Sequence, residues 1–223
     1  MKFELKSISA ATAVAFLVTV SPALAQDRYV SGALGYAGSS TYDFSFVSNT
    51  TSNSIAYTTD LSSGYFVSVA VGWENLAGPG TRAEIELSHL SFGSFGDYVS
   101  EFFRGIGPSG RITATTLFGN VWYDHDMDSS LTPYVGGGIG LSILDGDFAV
   151  TNGVGQQFNG SDVGIGVQLG IGVRTPLSDG MTLDIGYRYI AVSATSPSSI
   201  LGFSTANGSL GAHVLRAGLQ TEF

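Results

Sequence analysis

Between Asp162 and Arg174 the chain alternates without a break. Val163, Ile165, Val167, Leu169, Ile171 and Val173 share one parity, and Asp162, Gly164, Gly166, Gln168, Gly170, Gly172 and Arg174 share the other. A period of two is the period of a strand. As a helix the segment would carry four interior glycines, each costing about 1 kcal/mol relative to alanine, and its apolar residues would scatter around the cylinder. One face of this strand is continuously apolar while the other holds glycine, an amide and charge. A wall between lipid and a polar interior suits that division better than a sheet laid on a soluble core. The glycine face is then the crowded inside.

Seven further segments repeat the alternation, each with an apolar and a small or polar parity. In Arg28–Ala37, Val30, Leu34 and Tyr36 oppose Ser31, Ala33 and Gly35. Tyr65, Val67, Val69, Val71 and Trp73 oppose Ser68, Ala70, Gly72 and Glu74 in Ser63–Glu74, whose aromatics stand at the two ends of the apolar face, where interface girdles belong. Thr81–Phe92 sets Ile85 and Leu87 against Arg82, Glu84, Glu86 and Ser88. Arg111–Asp124 has bulk on both parities; Leu117, Val121 and Tyr123 are assigned outside and Asn120 inside. Leu131–Leu144 sets Val135, Ile139, Leu141 and Ile143 against Tyr134, Gly136, Gly138, Gly140 and Ser142. Met181–Val192 sets Leu183, Ile185, Tyr187 and Tyr189 against Asp184, Gly186 and Arg188. Gly211–Phe223 sets Leu215, Ala217, Leu219 and Phe223 against Arg216, Gly218, Gln220 and Glu222. Eight strands are expected.

Their connections alternate in length. Asn75–Gly80, His125–Ser130 and Thr175–Gly180 are short and rich in turn residues, whereas Gly38–Ser62, Gly93–Gly110, Asp145–Gly160 and Ser193–Gly208 are long and full of Ser, Thr, Asn and Gly. An eight-stranded antiparallel up-and-down transmembrane β-barrel, all-β, produces this alternation, with short turns on one side of a membrane and long loops on the other. A Greek-key sandwich gives no reason for it. Closure with an even number of strands also removes the unpaired edges that lipid would not tolerate.

The first 25 residues read differently. Lys2 and Lys6 precede an apolar run, Ile8–Val20, then Pro22 and the small-residue site Ala23-Leu24-Ala25. This is the pattern of a secretory signal peptide, residues 1–25, with the barrel expected over 26–223; the apolar run falls short of the roughly 20 residues a spanning helix needs. Charged residues make up only 12% of the chain and the net charge is −9. No lysine follows the leader, so nucleic acid is excluded as a partner: little basic surface is left to neutralise phosphates. With no cysteine in the chain, stability must come from a closed hydrogen-bond network or a core rather than from disulfides.

Asn120-Val121-Trp122-Tyr123-Asp124, Pro133-Tyr134-Val135-Gly136-Gly137-Gly138-Ile139-Gly140, Leu183-Asp184-Ile185-Gly186-Tyr187-Arg188-Tyr189 and the terminal Phe223 together resemble the small eight-stranded outer-membrane barrels of Gram-negative bacteria, the OmpA-like and opacity-type surface antigens. The resemblance covers about Gln26 to Phe223. It implies an outer-membrane location, contact with outer-membrane lipid and lipopolysaccharide, and recognition of Phe223, Leu219, Ala217 and Leu215 by the outer-membrane assembly machinery, with Thr221 departing from that alternation. It does not imply one activity, because the family includes adhesins, structural surface proteins and a few lipid-modifying enzymes.

Candidate chemistry is sparse. Glu74, Arg82, Glu84, Glu86, Asp184, Arg188, Arg216 and Glu222 fall on interior parities and mix both signs. In a barrel only just wide enough to be filled by its own side chains they form a paired structural network; a small porin is the competing reading. His89-Leu90-Ser91 resembles the His-x-Ser of lipid A deacylases, where a base and nucleophile on the lipid-facing wall cleave an ester, but that motif belongs to a different strand and no orienting acid is identified beside it. Asp124-His125-Asp126-Met127-Asp128-Ser129 starts like a calcium loop, yet Ser129 stands where glycine is needed and Val135 where glutamate is; it reads as a solvated turn. No metal or cofactor is expected. The long loops are the functional candidates, above all Gly93–Gly110 with Phe95, Tyr98, Phe102 and Phe103 beside Asp97, Glu101 and Arg104. The expectation is a non-enzymatic surface or structural barrel whose loops contact an extracellular ligand, with a lipid A ester hydrolase as the alternative.

Overall fold

The computed structural model describes residues 28–48, 54–93, 108–150, 156–194, 198–200 and 203–223. Ten strands and no helix occur among them: β1 (Arg28–Ser48), β2 (Ser54–Leu61), β3 (Gly64–Glu74), β4 (Thr81–Phe92), β5 (Pro108–Asp124), β6 (Thr132–Val150), β7 (Gln156–Ser178), β8 (Met181–Ala194), β9 (Ser198–Ile200) and β10 (Phe203–Glu222). The sheet runs in sequence order from β3 to β8, and β1 pairs with β10 to close it. Every ladder is antiparallel.

Ten strands make eight staves. The lower part of β1 pairs with β3 and its upper part with β2, so β2 and β3 are successive pieces of one stave interrupted at Ser62 and Ser63. In the same way β8 and β9 both lie along β10. The stagger is read from the register. Tyr36 pairs with Tyr65, and the rung continues through Ser91, Thr113 and Asp145 to Ser161 on β7. In the other direction Tyr36 leads through Leu215 and Tyr187 to Ile171. The circuit therefore closes ten residues along β7, from Ser161 to Ile171, and that offset tilts the strands against the barrel axis.

The alternation settles inside and outside. Val163 and Leu169 on β7 are 71% and 66% exposed while Gln168 between them is 1% exposed. Leu117, Val121 and Tyr123 point out, and Asn120 and Trp122 point in. The glycine parity of β7 is crowded as expected. A Cβ on Gly170 would sit 2.6 Å from Arg188 Cδ, and one on Gly172 would sit 2.5 Å from Tyr134 Cζ.

Three expectations need correction. The stretches read as long loops are in large part strand: β1 continues to Ser48 and returns as β2, β6 and β7 stay paired up to Val150 and Gln156, and β10 begins at Phe203. Their serines, threonines and asparagines suit strands that rise out of lipid into water, where neither face needs to be apolar. The connection expected over Thr175–Gly180 shrinks to Asp179-Gly180, with Gly180 at φ 72°, a left-handed turn position that favours glycine. Glu222 has the interior parity but is exposed at the last position of β10, beyond the last rung that β10 shares with β8. The signal peptide and most of Gly93–Gly110 lie outside the described residues.

Candidate functional site

The interior is built in two storeys. At the end carrying the short turns, alternate residues of all eight staves converge as charges, amides and aromatic rings. Arg174 donates to Asp124 Oδ2 at 2.5 Å and to Glu74 Oε1 at 2.7 Å, and Gln220 donates to Glu74 at 3.2 Å. Asp124 Oδ2 also accepts from Arg82 Nε at 2.7 Å. Above them Glu84 accepts from Tyr29 at 2.6 Å, from Arg82 at 3.2 Å and from Trp122 Nε1 at 2.7 Å. Tyr134 donates to Asp184 at 2.7 Å, and Arg216 lies 3.3 Å from Asp184 and 3.9 Å from Glu86. Gln168 spans from Glu86 to Asn120. Buried carboxylates without such partners would be far too costly to keep ionised.

Toward the loop end the lining changes character. Phe66, Leu90, Phe92, Ile112, Ala114, Phe118, Leu144, Ile190, Val192 and Leu210 form a buried apolar cluster. A few hydroxyls lie among them, with Thr116 and Ser142 bonded to each other at 2.8 Å. Side chains as large as Phe66, Phe118 and Leu90 occupy the bore, each at most 2% exposed.

The residues singled out in the sequence meet mixed fates. Arg82, Glu84, Glu86, Asp184, Arg188, Arg216 and Glu74 do converge, and Glu222 does not join them. Tyr29, Trp122, Tyr134, Asp124 and Arg174 belong to the same network and were not named for it; all lie on inward parities, which was the available signal. His89 and Ser91 sit at the loop end of β4. His89 Nδ1 is 2.9 Å from Thr115 Oγ1, and its ring centre is 6.2 Å from that of Tyr65. The hydroxyl neighbour of this histidine is thus a threonine on β5, in direct register with it. The acidic turn is spoken for as well: Asp124 is held by two arginines, while His125, Asp126, Met127 and Asp128 are exposed. Among the described residues no group of three or more candidate ligands could hold a metal ion.

The exterior completes the picture. Leu34, Leu117, Val121, Ile139, Leu141, Val163, Ile171, Ile185, Leu215 and Leu219 are all exposed around the circumference. A continuous apolar belt of this kind is tolerable only in lipid. Tyr36, Tyr65 and Tyr189 stand toward its loop edge, and Tyr123 and Phe223 toward its turn edge, as aromatic girdles do.

A closed eight-stave wall with lipid-facing apolar residues and a filled, internally paired bore defines a transmembrane β-barrel of the bacterial outer membrane. The chain belongs to the outer membrane protein beta-barrel domain family, whose model matches residues 10–223. It is 27% identical over 100 residues to outer membrane protein PagN of Salmonella typhimurium, a match covering 44% of this chain and 40% of that protein. Among solved structures it is similar to a major outer membrane protein of Thermus thermophilus, with a TM-score of 0.56, 16% identity and coverage of 90% of this chain and 100% of that one. It is also similar to the outer membrane protein OprG of Pseudomonas aeruginosa, with a TM-score of 0.55, 12% identity and coverage of 89% and 96%.

Proposed function

We propose that this protein is a sealed, non-enzymatic scaffold that presents its loop end at the cell surface for contact with an extracellular partner. The observation that carries the reading is the pairing of strands far above the apolar belt. The hairpin of β6 and β7 is in register up to Val150 and Gln156, and that of β1 and β2 up to Val47 and Ser54. Lipid does not require those extensions. Rigid ribbons standing in water are suited to holding loop residues at a distance from the membrane.

Charge narrows the partner. The described upper ends of the strands carry Asp43, Asp60, Asp145 and Asp162 against a single arginine, Arg111. Such a surface favours a neutral or cationic contact and repels a polyanion. Bacteria displaying the full protein are expected to adhere better to poly-arginine than to heparin-coated surfaces. Replacing residues 94–109 by a short turn should weaken that adhesion while leaving the heat-resistant folded band in gels. Adhesion unchanged by both that replacement and removal of Val150–Gln156 would count against the proposal. The enzymatic alternative is tested in parallel with detergent-purified protein and labelled lipid A. Release of fatty acid that disappears in His89→Ala and Ser91→Ala, with folding intact, would replace the scaffold reading by an ester hydrolase.

A further inference from the structure

The lipid-facing wall is not uniformly convex. Where β7, β8, β10 and β1 meet it carries a groove of about 280 Å³, lined by Ile165, Val167, Tyr189, Ala191, Ser209 and Asp43 among others. The depression follows from side-chain size. On the outward parity β8 offers Ala191 and Ser193, and β10 offers Ser209 and Gly211, between the bulkier Ile165 and Val167 on one side and β1 on the other. A Cβ on Gly211 would lie 3.1 Å from the Tyr189 hydroxyl and 3.4 Å from Thr41 Oγ1. Tyr189 therefore leans across the missing side chain and forms part of the floor, with the ring of His213 tilted at 50° to it and 5.0 Å away between centres.

The groove is graded along its length. Its lower end, at Val167 and Tyr189, is continuous with the apolar belt. Moving toward the loops, β8 passes from Ala191 to Ser193, β10 from Gly211 to Ser209 and β1 from Thr41 to Asp43. The upper end is thus a carboxylate and hydroxyls, with Ser209 Oγ 3.5 Å from Asp43 Oδ2. Apolar below and polar above is the grading of a lipid molecule at the edge of the bilayer. The acceptor-rich head of the groove selects hydroxyl or amide N–H donors.

We propose that this groove binds one acyl chain of an outer-leaflet lipid whose head carries hydroxyl or amide donors, received by Asp43 and Ser209. The inference rests on the barrel lying in the outer membrane and is independent of what the surface loops contact.

The test uses the folded barrel in phosphatidylcholine vesicles doped with one of two photoactivatable lipids, a ceramide bearing amide and hydroxyl donors or a phosphatidylcholine bearing none, each with its reactive group in mid-chain. The ceramide should label residues 165–167 and 189–193 about tenfold more than the opposite wall at Ile85 and Leu117, whereas the phosphatidylcholine labels both walls alike; that ratio corresponds to about 1.4 kcal/mol. Ala191→Trp should abolish the enrichment by filling the groove, and Ser193→Leu provides a second, milder obstruction. Asp43→Asn should lower the preference for ceramide and leave the heat-resistant band unchanged. Even labelling of both walls by ceramide, enrichment that survives Ala191→Trp and Ser193→Leu, or a preference unaltered in Asp43→Asn would each overturn the proposal.

Discussion

The guanidinium carbon of Arg188 lies over the Trp122 ring inside the barrel, 3.6 Å from its centre. Nε and Nη1 of this arginine have no hydrogen-bond partner in the protein, so the indole and the surrounding carboxylates carry what its hydration shell would otherwise supply. Glu84 and Glu86 are the acids on which its charge acts. Arg188→Met should destabilise the barrel by about 3–5 kcal/mol, because it removes the cation and leaves those acids under-compensated. Arg188→Lys keeps the charge, loses the planar stack, and should cost about 2 kcal/mol. Urea titration of tryptophan fluorescence in lipid vesicles measures both, and equal losses would show that stacking contributes nothing.

Val167 faces lipid on β7 within the apolar belt. Val167→Arg should cost about 1–2 kcal/mol of folding free energy, less than the figure for the bilayer midplane, because Val167 lies toward the loop edge of the belt beside Tyr189. Val167→Leu should change it by less than about 1 kcal/mol, since a lipid-facing side chain packs against fluid chains rather than a fixed core. Folding yield into vesicles against urea distinguishes the two.

Gly172 tests the opposite face. Its Cβ position is 2.5 Å from both Cζ and Oη of Tyr134, and Tyr134 is held by Asp184. Gly172→Val should therefore cost about 1–3 kcal/mol by overpacking. The penalty should shrink when combined with Tyr134→Ala, and strict additivity in the double mutant would mean that the contact is not the cause.

In planar bilayers the purified monomer should show no sustained ion conductance, because the upper storey is closed by Phe66, Leu90 and Phe118. Phe118→Ala combined with Phe66→Ala should admit water and raise brief openings above the baseline. Stable channels in the unmodified protein would contradict the filled bore.

Much of the wall was legible from parity alone, because a residue at the lipid boundary has one acceptable chemistry and its neighbour has another. Val163 to Val173 illustrate this, as do Leu117, Val121 and Asn120 on the less regular β5. The extensions of β1, β6, β7 and β10 were not legible, since above the lipid both faces meet water and the alternation that marks a strand disappears. Phe44-Ser45-Phe46 and Thr58-Thr59 carry no face bias that fixes a stave. The charged residues of the interior were recognisable, but their aromatic partners were not. Tyr29 and Trp122 have inward parity in the sequence, but only their register against Glu84 reveals that they donate to it. Glu222 erred in the other direction, because parity says which way a side chain points and not whether the wall still continues beside it.

The division of the interior into an ionic and an apolar storey also makes the molecule sided. Among the described residues, the way to Glu84, Glu86 and Arg188 from the loop end runs through hydrocarbon, while Arg174, Asp124 and Glu74 stand toward the short turns. In vesicles with uniformly oriented barrels, hydrogen exchange at the indole of Trp122 would follow the solvent on the short-turn side and stay indifferent to the solvent facing the loops. A structure that spans the whole membrane thus keeps its charged machinery in contact with one compartment.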